Sequence, residues 1–307
     1  MEREIVEVLQ EYYPVSFEEI EIGLSLNEKY HVRCKGGKEF FVRLQHNCHL
    51  ISKQFEEDLQ QTTFLIQNGI PTPRLLKCGL TSVGSGYWIF EWVHGENLVF
   101  KLSALPKEEQ YNLGYRAGGI LRSIHKLELD TLESGETATY VKNDILRCLG
   151  QYEQYKLTGA ECYRGNIFED YLTENNKMFQ DEIPFTLLHG DFHAGNLIVD
   201  SDGNLHVIDW IYGKRGLAIS DFVRIIVSAS WSEDFAMGQI DGYFGKEITV
   251  GFWEYMKMYV AMHELDLLSL KFPDMPDGTA FALAQHNIAV KEYKNMKLLV
   301  PLFYKDR

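Results

Sequence analysis

The sequence contains no uninterrupted run of 18 apolar residues, so no membrane-spanning helix is predicted. Its first residues, MEREIVEVLQEYY, lack the basic start and the continuous apolar stretch of a secretory signal. The five cysteines are scattered and form no CxxC pair, which favours free thiols in a reducing compartment. Together these absences predict a cytoplasmic protein.

Positive charge is also scarce, because 30 lysines and arginines stand against 44 aspartates and glutamates, a formal net charge of -14. Such a balance argues against nucleic acid or an anionic membrane as a partner. It suits a cationic ligand, although acidity for solubility alone is the more common explanation. Internal repeats and low-complexity segments are absent, and 307 residues at 45% hydrophobic content are enough for one large domain or two lobes.

The apolar periodicity changes about a third of the way along the chain. Before that point a short helix (1–12) and one longer helix (53–68) accompany strand patterns at 19–26, 29–34, 38–45, 74–80 and 86–93. After His94-Gly95 the patterns are mainly helical, beginning with 105–127. The sequence therefore predicts an α+β protein with a small antiparallel, β-rich N-lobe (1–90), a hinge (91–95) and a larger helical C-lobe (96–307).

The stretch HGDFHAGNLIVDSDGNLHVIDW, from His189 to Trp210, concentrates polar residues between short apolar runs. The turn DSDGN between LIV and LHVID predicts a β-hairpin. A hairpin of this length brings its two ends together, so Asp191, Asn196 and Asp209 are expected to converge. Two carboxylates and an amide oxygen suit Mg²⁺, and an aspartate that accepts a hydroxyl proton completes the minimum set for phosphoryl transfer. The plainer alternative is a surface hairpin with turn-forming Asp and Asn.

HGDFHAGN followed by VIDW resembles the catalytic and metal-binding segments of the aminoglycoside phosphotransferase and choline-kinase-like family, whose fold is related to that of protein kinases. Weaker similarities follow in the family's order along nearly the whole chain: IGLSLNEKYHV (22–32), GIPTPRLL (69–76), IFEWVHGENL (89–98) and LGYRAGGILRSIHKL (113–127). The resemblance implies a bilobal protein-kinase-like fold.

It also implies roles for individual residues. Asp191 would be the catalytic base, Asn196 and Asp209 would hold Mg²⁺, and Asp221 would brace the catalytic loop. Capping of the following helix by Asp221 is equally favoured and does not exclude the bracing function. His189 is expected to form hydrogen bonds within that loop rather than a metal pair with His193. The ATP or GTP site would draw on the covering hairpin, the third strand, the N-lobe helix and the hinge, with the candidates Ser25, Asn27, Arg43, Asp58, Glu91, Trp92 and Val93.

Two departures from the family pattern concern the phosphate contacts: the residue at position 43 and its partner on the N-lobe helix. Arg43 stands where the family has a lysine, and it keeps the charge with a different reach and geometry. Its partner on the N-lobe helix is Glu56, Glu57 or Asp58; the helical face favours Asp58 and residue chemistry favours Glu57. There is no GxGxxG motif. We expect the strand 38–45 to place Val42 and Leu44 under the N-lobe helix, with Arg43 on the opposite face.

The acceptor is expected to be a small molecule with a hydroxyl group. Only eleven residues (210–220) separate Asp209 from Asp221, too few for the peptide-docking segment of protein kinases. Residues 128–184 hold twelve Asp and Glu against five Lys and Arg, and Glu233 and Asp234 follow Trp231, which would suit a cationic acceptor. Solvated helix faces explain the same charges without a ligand.

Three functions fit these patterns. The first is an O-kinase for aminoglycoside-like acceptors, with a role in antibiotic resistance. The second is a metabolic kinase of the same fold, acting on choline, homoserine, a sugar or a macrolide. The third is a pseudokinase-like nucleotide-binding regulator, which Arg43 would signal. The presence of Asp191, Asn196 and Asp209 together favours an enzyme.

Overall fold

The computed structural model describes residues 2–21, 27–127, 137–159, 164–175, 185–211, 214–245, 247–269 and 278–304. The strands are β1 Pro14–Glu19, β2 Glu28–Cys34, β3 Glu39–Gln45, β4 Leu75–Leu80, β5 Gly86–Glu91, β6 Gly95–Asn97, β7 Phe185–Leu187, β8 Leu197–Asp200, β9 Leu205–Val207 and β10 Arg215–Leu217. The helices are α1 Glu2–Leu9, α2 Ser52–Gln67, α3 Leu98–Leu102, α4 Lys107–His125, α5 Thr137–Leu157, α6 Gly165–Asn175, α7 Ile225–Trp231, α8 Glu233–Phe244, α9 Val250–Ser269 and α10 Gly278–Glu292.

The predicted α+β class is confirmed, because an antiparallel sheet fills the N-terminal part and the remainder is mainly helical. By contacts the chain forms two compact units, Met1–Glu96 with Leu197–Ile208, and Asn97–Asn196 with Asp209–Arg307. We call them the sheet unit and the helical unit. The assignment of nucleotide binding to residues 1–90, a hinge to 91–95 and the acceptor site to 96–307 stays a prediction.

The sheet unit is built on five antiparallel strands in the order β1-β2-β3-β5-β4. The first strand, Pro14–Glu19, begins earlier than the alternating stretch 19–26, of which residues 22–26 lie outside the described part of the chain. A smaller sheet pairs β6, β8 and β9 in the order β6-β8-β9. Leu197 pairs with Val207 and Val199 with Leu205, so the predicted hairpin around DSDGN is confirmed.

The predicted alternation along β3 is confirmed, but its packing partner is not the one expected. Phe40, Val42 and Leu44 are buried in the core that α1 covers. The core residues are Ile5, Val8, Leu9, Tyr30, Val32, Cys34, Phe40, Val42, Leu44, Tyr87 and Ile89. The prediction that Val42 and Leu44 lie under the helix 53–68 was wrong, because the short N-terminal helix supplies enough apolar surface to cover this face of the sheet. Arg43 belongs to the other face of the same strand, as the period of two requires.

In the helical unit, α4 and α8 pack with their backbones in contact through glycines. A Cβ atom added at Gly118 would lie 2.0 Å from the carbonyl oxygen of Gln239, and one at Gly242 would lie 1.9 Å from that of Tyr115. Neither backbone can yield without separating the helices. The close approach carries Tyr243 of α8 next to His125 of α4, which matters for the site described below.

We expect Gly242→Ala to lower the free energy of unfolding by roughly 1–3 kcal/mol or more, because the added methyl group overpacks a rigid helix contact. The matched control is Gly119→Ala on α4, where nothing lies within 4 Å of an added Cβ. Alanine there should stabilise the helix by up to about 1 kcal/mol. Thermal unfolding of both variants checks this, and a Gly242→Ala protein as stable as the wild type would contradict the packing argument.

The described helices include none that is long and apolar enough to cross a membrane. The four cysteines in the described ranges, Cys34, Cys48, Cys78 and Cys148, are free thiols, as predicted.

Candidate active site

The loop between β7 and β8 carries the residues that the sequence singles out. It runs from Leu188 to His193, continues as a single 3₁₀ turn over Ala194–Asn196 and enters β8 at Leu197. Because Leu197 pairs with Val207, the chain leaves the hairpin beside the point where it entered. Asn196 and Asp209 therefore flank the open end of one hairpin.

Asp221 is hydrogen-bonded to the backbone at the start of this loop. Its carboxylate accepts hydrogen bonds from the backbone N–H groups of His189 (2.8 Å) and Gly190 (2.7 Å), and the Nε2 atom of His125 lies 3.0 Å from it. Asp221 is almost completely buried. Burial would raise the pKa of its carboxyl, but His125, His189 and the Gly190 N–H outweigh burial and hold the pKa below its usual value.

The alternative assignment of Asp221 as a helix N-cap does not hold. The next helix, α7, begins at Ile225 and has Arg224 at its N-cap position without a side-chain cap hydrogen bond. Asp221 lies in the preceding 3₁₀ turn, Ala218–Phe222, and its hydrogen bonds go to the loop before β8. A bracing function fits these contacts and stays a prediction.

Tyr243 and Thr186, which the sequence did not single out, hold His125 in turn. The Nδ1 atom of His125 lies 2.8 Å from the hydroxyl of Tyr243, and the Thr186 hydroxyl donates to the His125 carbonyl at 2.6 Å. Burial, followed by the Asp221 charge, raises the pKa of Tyr243 to about 12, so its hydroxyl stays protonated. Since His125 and Tyr243 are 118 residues apart, only tertiary packing brings them together.

Asp191 stands at the exposed side of the loop with both carboxylate oxygens engaged. The Arg224 Nε–H donates to Oδ1 at 2.9 Å, and His193 Nε2 and Asn196 Nδ2 lie 3.4 and 3.3 Å from Oδ2. Burial would raise the pKa of Asp191, but His193 and Arg224 together hold it well below its usual range. Asp191 is therefore ionised at neutral pH. Arg224, the nearest of these partners, was missed by sequence reasoning.

The two loop histidines use their ring nitrogens within the loop. His189 is fully buried, its Nδ1 accepts the Asp191 backbone N–H at 3.2 Å, and its ring packs 4.7 Å from that of Trp210. His193 Nδ1 accepts the Gly195 N–H at 2.9 Å. A neutral His193 therefore carries its proton on Nε2, facing Asp191.

Asn196 and Asp209 differ in their surroundings. Asn196 is buried, and its amide nitrogen also donates to the Asp191 backbone carbonyl at 2.8 Å. Its amide oxygen takes no part in these hydrogen bonds to Asp191. Asp209 is exposed and has a φ of 61°, a left-handed conformation that Asp adopts more readily than most residues. The described residues include no group of three or more His, Cys, Asp or Glu arranged to hold a metal ion.

A small oxygen donor set still fits Mg²⁺. This ion usually keeps several waters and takes only one or two protein carboxylates together with substrate phosphates. The Asp209 carboxylate and the Asn196 amide oxygen are hard donors of that kind. They are the residues that would hold the ion.

In the sheet unit, Arg43 lies against an aromatic ring. It pairs across the strands with Trp88, and its guanidinium carbon is 4.3 Å from the centre of that ring. The Trp88 indole N–H donates to Asp58 Oδ2 at 2.8 Å. Burial raises the pKa of Asp58, and the Trp88 hydrogen bond and the Arg43 charge oppose this rise only in part.

The three carboxylates of α2 are therefore distinguished by their positions. Asp58 lies on the Arg43 and Trp88 side of the helix, whereas Glu56 and Glu57 are exposed. Glu57 forms an i,i+4 pair with Lys53 at 3.2 Å. Among these carboxylates Asp58 lies on the side of α2 that the helical-face argument favours, and its pairing with Arg43 stays a prediction.

The remaining nucleotide candidates that the structure describes lie at the ends of strands β2 and β5. Asn27 is half-buried just before β2, and Ser25 lies outside the described residues. Glu91 ends β5, exposed, 3.8 Å from Arg74. Trp92 stacks on His31 with ring centres 3.7 Å apart, and Val93 follows it, half-buried.

The acceptor candidates lie at the start of α8. Ser232 caps this helix by accepting the Phe235 N–H at 3.0 Å, and Glu233 and Asp234 fill its first turn. Asp234 is 3.9 Å from Lys107. Acidic residues in a first turn also stabilise the helix dipole, which accounts for them without a ligand. Trp231, 40% exposed, lies with its ring centre 5.7 Å from that of His193 and so connects this helix start to Asp191.

Comparison with known proteins gives a family and a fold. Residues 16–259 match the model of the phosphotransferase enzyme family. An aminoglycoside 2′-phosphotransferase IIIa variant with GDP superposes with a TM-score of 0.69 at 16% identity, over 96% of this chain and 98% of that chain. Spectinomycin phosphotransferase with ADP and spectinomycin superposes with a TM-score of 0.60 at 16% identity, over 96% of this chain and 98% of that chain. A choline/ethanolamine kinase family protein from Mesorhizobium loti superposes with a TM-score of 0.61 at 15% identity, over 97% of both chains.

At these identities the solved structures establish the kinase-like fold alone, which confirms the predicted fold class. No curated protein sequence matches the chain.

Proposed function

The chain belongs to the phosphotransferase enzyme family, and from this membership we propose that it is an O-kinase that transfers the γ-phosphate of ATP or GTP to a hydroxyl of a small molecule. The observation that carries the proposal is the geometry around Asp191. Its carboxylate is ionised and held in place, and it lies beside Asn196 at the entry of a hairpin whose exit carries Asp209.

Each of these residues has a part in the proposed reaction. The ionised Asp191 orients the acceptor hydroxyl and takes its proton. Mg²⁺, held by Asn196 and Asp209, would neutralise the phosphate charge when bound. Asp221, His125 and His189 keep the loop in shape. Family resemblance assigns the α- and β-phosphates to Arg43, and the base and loop contacts to Ser25, Asn27, Glu91, Trp92 and Val93. The GDP and ADP found with two structural relatives support the use of a nucleotide.

For the acceptor we propose a small molecule that carries a positive charge. The short 210–220 segment leaves little chain for docking a peptide. Glu233 and Asp234 begin the helix after Trp231, and this partly exposed tryptophan, next to the His193 ring, suits a sugar ring or an ammonium group. We therefore propose an aminoglycoside-like acceptor and, with it, a role in antibiotic resistance. A cytoplasmic site of action remains part of the proposal.

A metabolic kinase is the second candidate, supported by the structural similarity to a choline/ethanolamine kinase family protein. A nucleotide-binding regulator is the third, and the substitution of Arg43 for lysine is what favours it. One experiment separates the three. Purified protein is incubated with Mg²⁺ and γ-labelled ATP or GTP, first alone and then with aminoglycosides, spectinomycin, choline, ethanolamine, homoserine, simple sugars and a macrolide. Label transfer to a compound identifies the acceptor, and nucleotide binding without any turnover would refute the enzyme.

We expect Arg43→Ala to lower kcat/KM for the nucleotide by about 10²-fold, because a displaced γ-phosphate is penalised in the transition state. Arg43→Lys should recover part of the loss, since lysine keeps the charge without the planar fork or the stacking on Trp88. Lys77→Ala is the control, because Lys77 is exposed on the same sheet and pairs with Ile89 of the α1 core instead of Trp88. Steady-state kinetics decide, and an unchanged kcat/KM in Arg43→Ala would remove Arg43 from the site.

A further inference from the structure

Arg224 and Asp191 form a close, half-enclosed ion pair. The Arg224 Nε–H donates to Asp191 Oδ1 at 2.9 Å, and the two side chains are only 18% and 29% exposed. Arg224 comes from the segment that links Asp221 to α7, so the element that braces the loop also supplies this contact. The pair is therefore fixed by the same local fold that positions the loop backbone.

The second carboxylate oxygen of Asp191 is held more loosely. Asn196 Nδ2 and His193 Nε2 approach Oδ2 at 3.3 and 3.4 Å, both longer than an ordinary charge-assisted hydrogen bond. Oδ2 thus keeps the capacity to accept another hydrogen bond, whereas Oδ1 has a short and well-directed partner. The carboxylate is turned so that Oδ2, the oxygen with only long contacts, faces the side of the loop that carries Asn196.

A buried carboxyl group on α9 lies within electrostatic range of Arg224. Glu264 on α9 is fully buried, its Oε2 meets His286 Nδ1 at 2.9 Å, and its Oε1 has no hydrogen-bond partner among the described residues. Burial raises the pKa of Glu264, and His286 and, more weakly, the charge on Arg224 act in the opposite direction.

We infer that Arg224 is a positioning residue that occupies Asp191 Oδ1 and thereby reserves Oδ2 for the acceptor hydroxyl. This inference rests on the proposed phosphotransfer at Asp191. In the reaction the acceptor oxygen bonds to the γ-phosphorus, the bond from that phosphorus to the β,γ-bridging oxygen breaks, and its electron pair leaves on the diphosphate. The hydroxyl proton passes to Oδ2.

If Arg224 aims the carboxylate, its loss should reduce turnover and leave nucleotide binding intact. We expect Arg224→Gln to lower kcat by about 10–100-fold, the range for misplacement of a reacting group, with the nucleotide KM within about threefold of the wild type. Arg224→Lys keeps the charge but has no Nε–H group to donate, so its kcat should lie between those of Arg224→Gln and the wild type. Arg116→Ala, an exposed arginine of α4, is the control and should behave as the wild type.

Chemical rescue separates positioning from a purely structural contribution. Guanidinium ion at sub-denaturing concentration should restore about tenfold or more of the kcat of Arg224→Ala, because it can fill the place of the missing side chain beside Oδ1. It should not affect Arg116→Ala. Thermal unfolding of each variant identifies any that fail to fold, and Arg224→Gln and Arg224→Lys then provide the comparison.

The rates are measured with water as the acceptor, as nucleotide hydrolysis, and with any acceptor that the label-transfer panel identifies. Hydrolysis by the wild type without transfer to any compound would defeat the proposed kinase function, and the hydrolysis rates would still test Arg224. An unchanged kcat in Arg224→Gln overturns the inference. So does a lowered kcat in Arg224→Ala that guanidinium does not restore, and so does a wild type that neither hydrolyses nor transfers.

Discussion

Asp191→Asn is expected to lower kcat for phosphoryl transfer by about 10²–10⁴-fold, the usual contribution of a positioned general base. The substitution keeps the size of the side chain and removes its charge and basicity. The introduced amide can still accept the Arg224 Nε–H, but its nitrogen would then occupy the place of Oδ2 and face the amide nitrogen of Asn196. A donor would stand where the acceptor hydroxyl needs an acceptor atom.

Nucleotide binding should change little in this variant, because Asp191 is not among the proposed metal or phosphate contacts. Calorimetry with nucleotide and Mg²⁺ measures that affinity, and a coupled assay measures kcat. Asp202→Asn is the matched control, since Asp202 is an exposed turn residue of the hairpin that follows the loop. Turnover of Asp191→Asn at a rate near that of the wild type would reject Asp191 as the base.

The local parts of the candidate site follow from the sequence. DSDGN between two short apolar runs is a strong turn signal, and the register Leu197 with Val207 follows once that turn is fixed. The face of α2 that carries Asp58 is determined by helical periodicity, and the structure places Asp58 beside Trp88 and Glu57 beside Lys53. In both cases neighbouring residues in the sequence, within one hairpin or one helix, determine the local structure.

The long-range parts do not follow from the sequence. In the sequence, nothing distinguishes Arg224 from other arginines near the start of a helix. Only the fold shows that it contacts Asp191, 33 residues earlier. His125 and Tyr243 meet because glycines let α4 and α8 approach closely, a contact that depends on two segments more than a hundred residues apart. The error over Val42 and Leu44 has the same origin, since periodicity tells which face is buried but not which helix covers it.

Asp209→Ala is expected to abolish the dependence of nucleotide affinity on Mg²⁺. We propose that Asp209 links the ion to the phosphates, so its removal uncouples the two ligands. Coupling between bound ligands typically changes affinity by about 5–150-fold, and that gain should disappear. Calorimetry with and without Mg²⁺ gives the coupling directly, with Asp202→Ala as the control from the same hairpin.

The backbone at Asp209 calls for a second variant. Its φ of 61° is costly for alanine, whereas asparagine and aspartate tolerate this left-handed conformation. Asp209→Asn therefore keeps the chain path and removes only the charge. If the metal coupling depends on the carboxylate, both variants lose it, and Asp209→Asn does so with unchanged thermal stability. If it depends on the turn alone, Asp209→Asn binds nucleotide with the wild-type response to Mg²⁺, and Asp209 is a conformational residue and not a metal ligand.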